Sequence, residues 1–316
     1  MDIVAIDRGG HKRGKYEEVN DFEGKRWIGG FNAECIREQP VLINVGDKLN
    51  FHPSCLHIKC DNNLNLNGYA LYIEGDIVIQ MYWRNNRING ELIQANKRTK
   101  EFDVFIVDNN VVVKKFESYP FQGIADNDVD GSRWAGQIID IEDRGAIPYG
   151  WCDYYDSEGR RTYSGFSYNG NQVCYGIIYF LDIYKKKYEG PVCNSEWWGY
   201  GISFDRNGRE IYRGNWIAGK IAGSRTSTFS LTNNDVVDSF TDKVDIKDSI
   251  MYFHSIYLSY LSHLKEFKVG NNCMNLSIPN LTLEICNLPF LESISIGNHS
   301  FRYYSIHFHS MLFCSG

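Results

Sequence analysis

Residues 188 to 223 read YEGPVCNSEWWGYGISFDRNGREIYRGNWIAGKIAG, and one pattern of aromatic residues and glycines occurs in them twice. The second copy is the more complete, with Tyr212, Gly214, Trp216, Gly219 and Gly223. The first copy begins 24 residues earlier, at Tyr188, and continues with Gly190, Gly199 and Gly201. A period in the twenties is typical of repeat arrays, so the chain is predicted to consist of stacked units rather than one compact enzyme domain.

The spacing within each unit predicts a β-hairpin. Side chains alternate between the two faces of a strand, so Tyr212, Gly214 and Trp216 are expected on one face. Gly214 has no side chain, which leaves room for the rings beside it. Before this strand, Asn207-Gly208 supplies the positive φ that a tight hairpin turn needs. Because an isolated hairpin is only marginally stable in water, each unit is expected to stack on its neighbours.

The pattern Y-x-G-x-W-x-x-G-x-x-x-G resembles the MORN repeat (membrane occupation and recognition nexus), a β-hairpin unit. The unit that starts at Tyr212 fills every position of this pattern. In the unit at Tyr188, Val192 replaces the tryptophan and Ser195 replaces a glycine. A third unit has Ser167 in place of the tryptophan and keeps Tyr163, Gly165, Gly170 and Gly176. The resemblance is strongest over 163–223 and weakens toward the N-terminus, where weaker units contain Trp134, Trp83 and Trp27.

A second period of 27 residues follows this array. It relates Leu258, Leu261, Leu264, Phe267, Val269, Gly270 and Asn271 to Ile285, Leu288, Leu291, Ile294, Ile296, Gly297 and Asn298. This spacing resembles a leucine-rich repeat. The resemblance implies short strands at 267–269 and 294–296, with the leucines pointing into a core shared by successive coils. Leu312 starts a third unit that the end at Gly316 interrupts, so we expect a fragment of a longer protein or a gene model that ends early.

The predicted fold is therefore mainly β. It is an elongated array of antiparallel, MORN-like β-hairpins followed by a short solenoid segment that resembles leucine-rich repeats. The predicted boundaries are an N-terminal arm over 1–21, the hairpin array over 22–225, a linker over 226–245 and the leucine-rich-repeat-like segment over 246–316. Within the array, the alternating segments Phe102 to Val107 and Val111 to Phe116 predict a hairpin around Asp108-Asn109-Asn110.

Composition and charge narrow the class of protein. The formal net charge is −6, so no overall positive field attracts nucleic acid, and none is expected as a partner. The N-terminus is acidic and no apolar run approaches the ~18 residues of a membrane span, which predicts neither a signal peptide nor a transmembrane segment. The nine cysteines form no paired framework, as expected in a reducing compartment. These features predict a cytoplasmic protein, either free or peripheral to a membrane or the cytoskeleton.

Three segments have the residue types of a metal site, but none has the full spacing. His52, Cys55, His57 and Cys60 are crowded into one segment, and no second pair of ligands follows to complete a zinc tetrahedron. His307 and His309 share one face of a predicted strand without further ligands. We therefore expect buried strand residues at these places, no metal ion and no cofactor.

The third segment is acidic and resembles the start of a calcium loop. Asp126, Asp128 and Asp130 alternate as in such a loop, but Gln137 stands where the loop would need a bidentate glutamate. A plain acidic turn is the expected structure. The chain also lacks a nucleophile elbow, a phosphate-binding glycine loop and a zinc-protease motif, so we expect that it is not an enzyme.

The regularly spaced aromatic residues of the array allow two compatible interpretations. Tyr163, Tyr188, Tyr212 and Trp216 are expected to stack one repeat on the next. If the array is a single curved sheet, one of its faces is not covered by its own core, and the same four residues could line a groove that binds a partner.

The leading hypothesis is a non-enzymatic scaffold for protein–protein interaction, with a second binding surface in the C-terminal repeats. The MORN resemblance implies cytoskeletal or membrane-associated protein partners and self-association. The alternative hypothesis is a peripheral membrane or phosphoinositide-binding module, in which Lys185, Lys186 and Lys187 contact anionic headgroups. A third hypothesis is an accessory region of a larger protein.

Overall fold

The computed structural model describes most of the chain, and in the described residues every regular element is a β-strand. The described residues are 5–6, 12–20, 26–31, 43–49, 51, 55–61, 64–126, 131–142, 144–222, 225–229, 237–250, 256–274, 277 and 280–309. Antiparallel hairpins build three sheets, and parallel strands build two more. The predicted fold class, mainly β with many antiparallel hairpins, is confirmed at this level.

The first three strands form a small antiparallel sheet of their own. They are β1 (Ala5–Ile6), β2 (Lys12–Asn20) and β3 (Arg26–Phe31). Strand β2 pairs with both neighbours and places Val19 opposite Trp27. This strand lies within 1–21, the segment for which the sequence predicts an N-terminal arm.

A seven-stranded antiparallel sheet follows, in the order β10-β9-β8-β6-β5-β4, with β7 paired to β6. Its strands are β4 (Leu56–His57), β5 (Gly68–Glu74), β6 (Ile77–Arg84), β7 (Arg87–Ile88), β8 (Gly90–Asn96), β9 (Phe102–Asp108) and β10 (Val111–Lys115). Strands β9 and β10 are the hairpin that the sequence predicts. Asn109 and Asn110, with φ of 49° and 67°, form its turn, as expected of residues that tolerate positive φ.

The largest sheet has ten strands; nine of them follow one another in chain order, and β17 pairs with β16 beside this row. Its strands are β11 (Phe121–Asp126), β12 (Arg133–Ile141), β13 (Gly145–Tyr155), β14 (Arg161–Tyr168), β15 (Asn171–Tyr179), β16 (Lys186–Cys193), β17 (Glu196–Trp197), β18 (Gly199–Phe204), β19 (Glu210–Ile217) and β20 (Lys220–Ile221). All pairs are antiparallel, and the sheet contains the part of the chain with the clearest repeats.

The C-terminal part forms two parallel sheets, in the orders β21-β22-β24-β26 and β23-β25-β27. The strands are β21 (Arg225–Phe229), β22 (Thr241–Ile246), β23 (Ile256–Leu258), β24 (Glu266–Val269), β25 (Thr282–Cys286), β26 (Ser293–Ile296) and β27 (Ser305–His309). Phe267 is the register partner of Ile294, and Leu258 is that of Ile285. The 27-residue offset of the sequence is thus the register of the parallel ladders. Most of β21 and most of β22 lie in 226–245, where the sequence predicts a linker.

The seven-stranded sheet is covered on both faces. Leu71 and Val78 belong to a core shared with the ten-stranded sheet. The neighbouring residues Tyr72 and Ile79 belong to a second core, shared with the parallel sheets. Strands β5 to β9 are therefore apolar at consecutive positions, because both of their faces exclude water.

This layering differs from the single elongated array that the sequence predicts over 22–225. The segment is divided among three sheets, and one face of the ten-stranded sheet is packed against the seven-stranded one. The physical reason lies in β5–β9, which are too apolar on both faces to form a sheet with a solvated side. The predicted open surface can therefore exist only on the remaining face of the ten-stranded sheet.

Candidate functional site

A row of glycines crosses that remaining face of the ten-stranded sheet. Register partners join Gly123 to Gly136, Gly165 to Gly176, Gly176 to Gly190 and Gly201 to Gly214. Cys152 occupies the position between Gly136 and Gly165. Because glycine has no side chain, the row forms a shallow furrow in the sheet surface.

Tyrosine rings fill this furrow. A Cβ atom on Gly165 or Gly176 would overlap the Tyr163 side chain, and one on Gly190 or Gly201 would overlap Tyr188. Each tyrosine hydroxyl donates a hydrogen bond to the carbonyl oxygen three residues later. The three bonds are Tyr163 to Phe166 at 2.7 Å, Tyr188 to Pro191 at 2.8 Å and Tyr212 to Asn215 at 3.3 Å. The Tyr-x-Gly pairs of the sequence are thus explained by a ring that lies flat over a glycine.

The structure places three of the four predicted groove residues in the interior. Tyr163, Tyr188 and Trp216 are 1%, 0% and 6% exposed, and Tyr212 is half-buried. Tyr188 and Tyr212 both contact the Trp216 ring, at centroid distances of 5.9 and 5.1 Å. This differs from the expectation that all four are available to a partner. Since the glycine row lets these rings sink into the sheet, they pack against the neighbouring strands.

An open groove lies at the other end of the same face. It has a volume of about 400 Å³, and apolar atoms of Trp134, Pro148, Tyr154 and Leu181 form much of its lining. The rings of Trp134 and Tyr154 meet edge to face at 5.9 Å. We call this cavity the aromatic groove; Ser132, Tyr155, Asp156, Thr162 and Gly170 complete its lining.

Sequence patterns could have identified some of the residues that line this groove. Trp134 belongs to a weak repeat, in which it takes the place of the tyrosine that covers the glycine row. Tyr154 is the register partner of Tyr163, but its spacing matches no repeat. Leu181, which is 61% exposed, follows β15 in an irregular segment without any signal.

The titratable groups at the groove are buried or paired. The Tyr154 hydroxyl hydrogen-bonds to Ser167, and burial raises the pKa of this phenol. Burial also raises the pKa of the adjacent Cys152 thiol to about 12, so the sulfur stays protonated at neutral pH and is a poor nucleophile. Arg160 forms an ion pair with Asp156 at 2.7 Å, which holds this carboxylate at the rim.

The three lysines of the alternative hypothesis are exposed but have acidic neighbours. Lys186 forms an ion pair with Glu189 at 2.7 Å, and Lys185 donates a hydrogen bond to the Asn207 carbonyl oxygen at 2.9 Å. Lys187 lies 5.9 Å from the centre of the Trp197 ring. Nearby, Arg206 pairs with Asp182. The positive charge of this surface is therefore partly compensated.

The segments with possible metal ligands are dispersed. Cys55 and Cys60 are buried cysteines, and the His57 ring lies 5.6 Å from that of Phe240. In the ranges that the structure describes, no three His, Cys, Asp or Glu side chains converge on one point. The predicted candidates His52, Asp128 and Asp130 lie outside the described residues, as does Gly223 of the repeat, and only the backbone of Asp126 and His309 is described.

A second exposed apolar surface lies at the end of the parallel ladders. Ile306 and Phe308 of β27 are 40% and 51% exposed, whereas their register partners Leu283 and Ile285 are completely buried. Ile296 of β26 is likewise 38% exposed. At the other end of the same ladder, β23 is covered, because Ile256 and Leu258 are buried in the shared core. The two edge strands of this parallel sheet, β23 and β27, thus differ in exposure.

No helix among the described residues has the length and apolarity to cross a bilayer. Comparison with models of protein families finds no match to this chain, and comparison with curated proteins finds no similar sequence.

Proposed function

We propose that the protein is a non-enzymatic interaction scaffold whose aromatic groove binds an apolar segment of a partner protein. The observation that carries the proposal is the groove itself, an apolar cavity with aromatic walls on the one face of the ten-stranded sheet that the seven-stranded sheet leaves open. The aromatic clusters of this face consist only of residues from the ten-stranded sheet.

The fold details support a finer assignment within this proposal. The Tyr-x-Gly contacts over 163–214 favour MORN-like hairpins, and the 27-residue register of the parallel strands favours a leucine-rich-repeat-like solenoid. Repeat arrays commonly use extended surfaces to bind other proteins. The cytoskeletal or membrane-associated partners implied by the MORN resemblance belong to the same proposal.

The lining of the groove indicates which segment would bind. Tryptophan and tyrosine dominate the energetics of protein interfaces, and their buried centres usually hold an aromatic or aliphatic anchor. Among the described residues, Asp156 is the only charged one that lines the cavity, and it is already paired with Arg160. A peptide with apolar anchor residues therefore fits the groove better than an acidic or basic tail.

The exposed end of the coils is the second surface of the proposed scaffold, and its proposed occupant is a second copy of this chain. Ile296, Ile306 and Phe308 stand at positions that are buried in the preceding coil. A contact between the same exposed residues of two copies would be symmetric about a two-fold axis, which gives a closed dimer. Sedimentation of the wild type against Ile306→Asp should show a dimer for the first and a monomer for the second; two monomers would contradict the assignment.

The membrane alternative rests on Lys185, Lys186 and Lys187, and the structure supports it less. Anionic membranes attract clusters of uncompensated basic residues. Here Glu189 and Asp182 lie within ion-pair distance of basic residues on the same surface. The accessory-region hypothesis is compatible with the scaffold, since a peptide-binding array can serve a larger protein.

Selection from a phage-displayed random peptide library on the full chain tests the proposed groove. The selected peptides should share aromatic or aliphatic anchors. Their affinity should fall at least tenfold, about 1.4 kcal/mol, in the Leu181→Asp variant, because a charge then enters the apolar cavity.

The matched control is Ile211→Asp, a change at a residue that is 65% exposed and lies outside the groove. This variant should bind the peptides as the wild type does. Equal weakening by both substitutions, or peptides that bind Leu181→Asp unchanged, would refute the groove as the binding site.

A further inference from the structure

A polar cleft opens where the seven-stranded sheet and the ten-stranded sheet diverge. Its volume is about 280 Å³, at the lower end of the range for small-molecule sites. Tyr69, Tyr82 and Glu91 line one wall, and Tyr168 and Asn171 line the other. This inter-sheet cleft lies on the side of the ten-stranded sheet opposite to the aromatic groove, so it is independent of the proposed function.

Two hydrogen bonds hold the walls of the cleft at a fixed separation. The Tyr168 hydroxyl donates to Glu91 Oε1 at 2.9 Å, and the Asn194 backbone N–H donates to Gln80 Oε1 at 3.2 Å. Gln80 is only 6% exposed, and Ile93 and Val173 beside it are buried. The cleft is therefore pre-formed, and buried side chains lie at its base.

Some polar side chains that line the cleft are not hydrogen-bonded to other described residues. In the described part of the chain, the side-chain amides of Asn171 and Asn194 have no hydrogen-bond partner, and Gln80, whose side-chain oxygen accepts from the Asn194 backbone N–H, also lines the cleft. An amide offers both a donor and an acceptor. Such a lining matches hydroxyl groups, which also donate and accept.

The charged and aromatic residues of the cleft further restrict the chemical class of ligand that it could bind. In the described ranges, Arg84 and Glu91 are the only charged residues that line it, and they carry opposite signs. A phosphate or other strong anion would require several cationic donors, so the lining favours a neutral ligand. Tyr69 is 37% exposed and contacts Tyr82 edge to face at 5.2 Å, which leaves a flat apolar surface at the mouth.

We propose that the inter-sheet cleft binds a neutral saccharide, with the C–H face of a sugar ring on Tyr69 and its hydroxyl groups on the amides of Gln80, Asn171 and Asn194. A sugar ring has one face of C–H groups and an edge of hydroxyls that both donate and accept hydrogen bonds. This combination matches the aromatic mouth and the amide lining of the cleft.

Saturation-transfer NMR with the full chain tests this proposal. The probes are maltose, lactose, cellobiose and diacetylchitobiose, each added in excess. At least one should receive saturation from the protein. Its affinity should fall at least tenfold in Asn171→Ala/Asn194→Gly, in which glycine suits the positive φ of 48° at residue 194.

Asn287→Gly is the matched control, since Asn287 also has a positive φ, of 52°, and lies in the C-terminal coils. It should bind the same saccharide as the wild type does. Tyr69→Ala, at an exposed position, is a second variant that should also weaken binding. The proposal is overturned if none of the four saccharides receives saturation, or if transfer is the same in wild type and in both cleft variants.

Discussion

At the scale of single residues, the pairing of a tyrosine ring with a glycine is the contact that defines this protein. The ring lies over the backbone two residues further along the chain and also covers a glycine of the neighbouring strand. The tyrosine hydroxyl is satisfied by a carbonyl oxygen, so a polar aromatic residue can be buried without the cost of an unpaired donor. Replacement of the glycine would displace the tyrosine ring, and replacement of the tyrosine would uncover the glycine backbone.

Gly214 and Tyr212 allow a clean measurement of this pairing. The three heavy atoms nearest to a Cβ on Gly214 would all belong to the Tyr212 side chain. Gly214→Ala should therefore cost about 1–3 kcal/mol through overpacking. In a Tyr212→Ala background the same change should cost less than about 1 kcal/mol, because the obstructing ring is gone.

Chemical denaturation of the four proteins measures this coupling. An equal cost of Gly214→Ala in both backgrounds would mean that the ring and the glycine are independent. Tyr212 is half-buried at the edge of its cluster, so its removal should leave the sheet folded.

A second residue-scale prediction concerns His57. Burial, together with the nearby His263, lowers the pKa of His57 to about 4 from an ordinary value of 6.5. The unfolded chain therefore binds a proton more readily than the folded one. The contribution of the neutral ring is fully present above pH 6.5 and is lost as the pH falls from 6.5 to 4, by up to about 3 kcal/mol.

Urea unfolding at a series of pH values measures this loss. The His57→Gln variant should lack this part of the acid destabilisation. The control is His299→Asn, at an exposed position with a positive φ that asparagine tolerates. An identical pH dependence of wild type and His57→Gln would show that His57 does not titrate in this window.

At the scale of elements, turns fasten one sheet to another. The turn between β8 and β9 carries Lys97, Arg98 and Lys100. The Lys100 ammonium lies 3.1 Å from the centre of the Trp151 ring, and the Lys97 ammonium lies 5.5 Å from that of Tyr175. Both rings belong to the ten-stranded sheet, so this basic turn of the seven-stranded sheet helps to join the two layers.

Substitution of Lys100 tests the role of this turn. Lys100→Met keeps the length and apolar stem of the side chain and removes the charge, so it should cost about 1–2 kcal/mol of unfolding free energy. The matched control is Arg98→Met in the same turn, whose exposed ion pair with Asp76 should contribute less than about 1 kcal/mol. Thermal unfolding compares them, and equal losses would contradict a specific cation–π contact.

At the scale of the whole molecule, local sequence patterns predict strands and turns well, but they predict poorly how the sheets pack on one another. The Asn-containing turns and the 27-residue leucine spacing predict a hairpin and a strand register that the structure contains. The packing of the seven-stranded sheet between two others was not predictable. The consecutive apolar residues of β5–β9 show that both faces are buried, but they do not identify which surfaces cover them.

The same limit explains the candidate site. Tyr163 and Tyr188 are prominent in the sequence because they are structural, and the structure buries them. The groove depends on Trp134, Tyr154 and Leu181, which converge only through the curvature and register of β12–β15. Repeat spacing identifies residues that pack between neighbouring strands. Residues that depart from the repeat are not held by this packing, and they can line a binding surface.

The most direct test of the scaffold account is fluorine NMR of the chain labelled with 5-fluorotryptophan. The protein has seven tryptophans, and Trp134→Phe assigns the resonance of the one in the aromatic groove. Addition of a selected peptide should shift the Trp134 resonance and leave that of Trp198, which is 1% exposed in the inter-sheet core, unchanged. A bound peptide that leaves the Trp134 resonance unchanged would contradict the account.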